Sequence, residues 1–97
     1  MTNALRAAIA AYNSGNLAET IVLLQDLLQD DKQNWVAWYY LGNAYAHSQQ
    51  TENAYRIMQV VAALCPNAKL RESAREALHE LDPNQLAALR VAAEMSA

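Results

Sequence analysis

Residues 38–45 read WYYLGNAY, an aromatic run with a glycine at its centre. Apolar residues on either side keep helical spacing, so the glycine falls inside a helix, where it costs roughly 0.5–1 kcal/mol against alanine. Close approach of a second helix offsets such a cost, because a residue without Cβ lets a neighbouring side chain sit against the backbone. The run therefore implies a helix packed tightly on another helix, and helix packing governs the reading of the whole chain.

Boundaries between helices recur at short intervals. Leu5, Ala8, Ile9 and Tyr12 carry a first helical stripe that ends at Asn13, Ser14 and Gly15, where glycine can take the left-handed conformation that closes a helix. Asn16 reads as an N-cap with Glu19 reaching back to its free backbone N–H, ahead of a second stripe of Ile21, Leu24, Leu27 and Leu28 that stops near Asp30. Asn34 caps a third helix through about His47, and Thr51 caps a fourth through about Leu64. Cys65, Pro66 and Asn67 then force a break. A fifth helix ends near Leu81, and Asp82 with Pro83 starts a sixth that runs towards Met95. With only two glycines and two prolines in 97 residues, this is one all-α domain with short connections.

Composition removes several classes of function. The net charge of −3, with both signs interspersed, offers no basic patch for phosphates, so nucleic acid is not expected as a partner. A lone cysteine makes no intramolecular disulfide, and the amino-terminal stretch is too polar for a signal peptide or membrane span, which points to the cytoplasm. His47 and His79 lack cysteine or carboxylate neighbours at ligand spacing and read as surface residues. Cys65 lacks a basic neighbour to activate it and reads as a packing residue. No metal, cofactor or catalytic constellation is expected, and neither is an enzyme.

The spacing Trp38-x2-Leu41-Gly42-x2-Tyr45, then Ala54-x3-Met58, then Pro66, resembles the signature of the tetratricopeptide repeat over residues 35–68, with Met58 in place of a phenylalanine. The resemblance implies a right-handed superhelical stack of three antiparallel helix hairpins, with Gly42 and Ala54 at the closest crossing within one repeat. It also implies that Trp38 and Tyr45 pack between repeats. A shift of one repeat length makes 1–34 a degenerate first repeat, and 69–97 becomes a divergent third hairpin of open register.

The resemblance further implies a concave groove, lined by the first helix of each repeat, that holds an apolar helical or extended segment of a partner protein. The positions so implied are Leu5, Arg6, Ile9, Tyr12 and Asn13, then Val36, Tyr39, Tyr40, Asn43 and His47, then Leu70, Ser73 and Ala77. Repeat domains that clamp a chaperone's terminal carboxylate use cations at places that here hold Leu5, Ile9, Tyr40, Leu70 and Ala74, so that subclass is not expected. The expected role is that of an adaptor or chaperone-like subunit. A second expectation is a homodimer. In the final helix Ala87, Val91 and Met95 form an apolar strip beyond the one formed by Leu86, Leu89 and Ala93, and a two-fold axis could cover it.

Overall fold

A computed structural model describes residues 3–81. Over that range the chain forms five helices: α1 (Asn3–Asn13), α2 (Leu17–Asp30), α3 (Trp35–His47), α4 (Thr51–Leu64) and α5 (Ala68–Glu80). The described residues contain no strand. Connections of three or four residues turn each helix back along its predecessor, and consecutive helices pack together, while α1 touches α3 and α3 touches α5. The expected sixth helix, and with it Ala87, Val91 and Met95, lies outside the described residues.

The helix starts follow asparagine chemistry more closely than a general capping rule. Asn34 Oδ1 accepts the Ala37 N–H at 3.1 Å, and Asn67 Oδ1 accepts the Leu70 N–H at 3.0 Å. Asn16 does not cap in this way. Its backbone N–H already donates to the Ala11 carbonyl to close α1, so Glu19 has no free N–H to reach and instead accepts from the Asn16 side-chain amide at 2.7 Å. Thr51 also departs from expectation, since Gln50 occupies the N-cap without a side-chain bond and Thr51 is the first helical residue.

The turns α1–α2 and α3–α4 are built alike, one full repeat apart. Ser14 and Ser48 close their helices, Asn16 donates back to Ala11 as Gln50 does to Tyr45, and the residue between is left-handed in both cases. At the first turn it is Gly15, with φ of 80°, and at the second it is Gln49, with φ of 67°. A side chain in this conformation costs about 1 kcal/mol or more. Gln49→Gly is therefore expected to stabilise the fold by about 1 kcal/mol, read as a rise in the denaturation midpoint. An unchanged or lower midpoint would refute the strain at this turn.

Two clusters form the core. Leu5, Ala8, Leu24, Leu28, Ala37 and Leu41 join α1, α2 and α3, while Met58, Val61, Cys65 and Ala74 join α4 to α5. Trp38 and Ile57 pack against both clusters and tie them into one. Thr20 is fully buried and needs a partner, which it finds by donating its hydroxyl to the Asn16 carbonyl at 2.8 Å. Gly42 lies against α4. A Cβ there would stand 2.7 Å from the Met58 methyl and 3.2 Å from Ile57 Cγ2. The close approach expected at Gly42 is present, made by Met58 and Ile57 of α4, and Ala54 of the same helix is fully buried.

α5 starts one position early. Ser14 and Ser48 are separated by a full repeat, whereas the paired caps Asn34 and Asn67 stand one position closer to each other, as do the buried Leu41 and Ala74. A full repeat would set the exposed Arg75 opposite buried Leu41, so the register left open in the sequence is one position short for α5.

Candidate functional site

The face shared by α1 and α3 carries an aromatic seam. Tyr12, at the end of α1, meets Tyr40 edge to face, with ring centroids 5.3 Å apart and planes at 84°, and meets the His47 ring at 5.9 Å. Edge-to-face rings place a positive edge on a negative face, an arrangement worth about 0.5–1.5 kcal/mol beyond burial. Helical spacing explains why these groups converge. Tyr40 and His47 lie two turns apart on one face of α3, and α1 runs alongside that face. An open cleft of about 300 Å³ lies beside the seam, lined by Tyr12, Gly15, Leu17 and His47.

Burial holds the Tyr12 hydroxyl above the ordinary tyrosine range, and the neighbouring Tyr39 and Tyr40 push it the same way. It stays an uncharged hydrogen-bonding tip on a half-buried apolar ring. The seam can grip an apolar side chain and direct a hydrogen bond at its rim. Among the described residues no group of three or more histidines, cysteines or carboxylates could hold a metal ion.

The other expected groove residues divide into those on this surface and those beneath it. Asn13, His47, Arg6 and Val36 are exposed, Val36 by 41%, and Ile9, Tyr39, Tyr40, Asn43 and Ser73 are half-buried. Leu5 belongs to the first core cluster, only 5% exposed, and so supports the surface from below. Leu70 and Ala77 are half-buried and pack against the second cluster. A full repeat from Val36 and Asn43 lands on them, while the shortened one reaches Lys69 and Glu76. Tyr39 also leans on the second cluster and Tyr40 on the first, so each ring packs partly between hairpins.

Trp38 and Tyr45 do pack between repeats, as expected, with a geometry that repeat spacing alone does not give. The indole N–H of Trp38 donates to the Lys32 carbonyl at 2.8 Å, and Gln25 donates to the Tyr45 hydroxyl at 2.8 Å. Both side chains border a cleft of about 500 Å³ between α2, α3 and α4, on the side away from the aromatic seam. Sequence reading missed this cleft, and the glutamines Gln25 and Gln29 at its border were the available signal.

Antiparallel helix pairs joined by tight turns, with the odd-numbered helices side by side, define an α-helical repeat protein. The family model described as tetratricopeptide repeat matches residues 11–71, more than half of the 97 residues, and the chain belongs to that family. No curated protein and no solved structure matches the chain significantly. Tetratricopeptide repeats are a non-enzymatic fold that mediates protein–protein interaction. No helix among the described residues is long and apolar enough to cross a membrane.

Proposed function

We propose that the protein is a small adaptor or chaperone-like subunit that takes a segment of a partner protein across the face formed by α1, α3 and α5. In this reading residues 1–34, 35–68 and 69–97 stack as three hairpins in a right-handed superhelix, the face is its groove, and the work is done in the cytoplasm without catalysis. The observation that carries it is the seam of Tyr12, Tyr40 and His47. Partly exposed tyrosines on a rigid helical frame supply large contact area at little entropic cost, as residues that dominate binding energy do. Ile9, Asn13, Val36, Tyr39 and Asn43 complete the surface, with Leu5 and Leu70 as its support.

Recovery of partners from native lysate by the wild type, Tyr40→Ala and Val36→Glu tests this. Removing an anchoring ring of this kind costs about 2 kcal/mol or more, a drop in affinity of about thirtyfold. Val36→Glu places a charge on an exposed position and leaves the core untouched, so its loss of recovery with unchanged circular dichroism separates binding from folding. Equal recovery by all three proteins would sink the groove.

A further inference from the structure

We infer that the cleft between α2, α3 and α4 docks a short segment of a partner protein that carries an apolar side chain and a carboxylate two residues apart. This site is separate from the groove proposed above, because the two lie on opposite faces of α3. Trp38 and Tyr45 stand seven residues apart on one face of that helix. Tyr40 and His47 stand seven apart on the other, about 200° round the axis. The cleft has a volume of about 500 Å³, within the range of sites that hold ligands. Its floor is apolar, made by Leu28 of α2, by Leu41 and Trp38 of α3 and by Ile57 of α4. Leu28 and Leu41 are buried in the first core cluster and Trp38 and Ile57 pack on it, so the floor is rigid.

Polar groups stand at the border of this floor. Gln25 and Lys32 bracket it from the α2 side, two helical turns or about 10 Å apart. At the Gln25 end the carboxamide is engaged by the Tyr45 hydroxyl. At the other end the Lys32 carbonyl accepts the Trp38 indole N–H, which holds the lysine backbone against the cleft while its ammonium stays exposed. Lys32 is the only charged residue among the described residues that line the cleft, and no ion pair with another described residue engages it. Asp30 and Asp31 are exposed and do not line the cleft. The occupant therefore matches an apolar floor and an uncompensated cation at one end, where an anion is attracted and a cation meets like charge. An extended chain puts alternate side chains on one side, about 7 Å apart. An apolar side chain on the floor thus brings a carboxylate two residues away within reach of the flexible Lys32 ammonium.

Fluorescence anisotropy with three short labelled peptides tests the assignment: one with leucine and glutamate two places apart, the same peptide with lysine for the glutamate, and the glutamate peptide with alanine for leucine. The wild type is expected to bind the first about fivefold more tightly than either of the others, the scale of one exposed charge pair. Lys32→Glu changes a charge at an exposed position and is expected to reverse the order of the glutamate and lysine peptides. Tyr40→Ala, on the opposite face of α3, is expected to leave both affinities unchanged. Equal binding of the glutamate and lysine peptides by the wild type overturns the site, and so does a glutamate preference that survives Lys32→Glu. Weakening of the glutamate peptide by Tyr40→Ala places it in the groove and overturns the site too, as does failure of all three peptides to bind. Displacement of the first peptide by octanoate at equal concentration assigns the cleft to small apolar acids, and a wild-type dimer that Lys32→Glu separates assigns it to a second copy of this chain. Either result overturns the partner segment. The lysate comparison of Tyr40→Ala and Val36→Glu judges the groove by itself.

Discussion

Met58→Ala is expected to lower stability by about 2–5 kcal/mol, the usual cost of emptying a buried methionine site. Met58 is fully buried, it anchors the second core cluster, and its terminal methyl fills the space that a side chain at position 42 would otherwise occupy. Truncation therefore removes core contacts and opens a void beside the one helical glycine, where no neighbouring Cβ can move in to fill it. In a domain of this size each kcal/mol lowers the melting temperature by about 4–8 °C, so a fall of ten degrees or more is expected in a thermal scan. Met58→Leu, nearly equal in volume, should cost less than about 1.5 kcal/mol. If alanine and leucine at this position melt alike, Met58 does not hold the seam.

Gly42→Leu is expected to cost about 1–3 kcal/mol or more, as overpacking does when a core has no room. The two obstacles differ in stiffness. The Met58 methyl ends a flexible chain and can swing aside, whereas Ile57 Cγ2 sits on a branched carbon with one favoured rotamer in a helix. Gly42→Ala should accordingly be close to neutral, because displacing the methyl is offset by the gain of about 0.5–1 kcal/mol in helix propensity. The decisive comparison pairs the substitutions. In a Met58→Ala background Gly42→Leu should cost clearly less than in the wild type, since the leucine occupies the vacated volume. Strict additivity of the two losses would show that the side chains do not share that space.

How far the sequence could be read depended on whether a position is specified locally or by a neighbour. The five described helices, the turn at Gly15, the cap at Asn34 and the break at Cys65, Pro66 and Asn67 were legible because each rests on residues close in the chain. Gln49 was not, since nothing in a glutamine signals a left-handed backbone. Only comparison with Gly15 reveals that the turn needs one. Glu19 misled because the N–H it was expected to reach is consumed by the preceding turn, a competition that a capping pattern does not contain. The seam of Tyr12, Tyr40 and His47 came from the right helices. Leu5 was drawn into the surface set although it belongs to the first core cluster, and Leu70 because a full repeat from Val36 lands on it while α5 runs one position short.

Both tryptophans of the chain, Trp35 and Trp38, lie in the middle hairpin, and Trp38 leans on each core cluster with its N–H fixed on Lys32. Tryptophan-selective fluorescence is thus an optical gauge of the joint between hairpins and carries no reporter at the outer helices, whereas far-ultraviolet dichroism weighs every helix alike. Superimposable melting curves from the two signals would mark an array that opens as a unit, and curves that part company would mark one that peels from its ends while the joint holds.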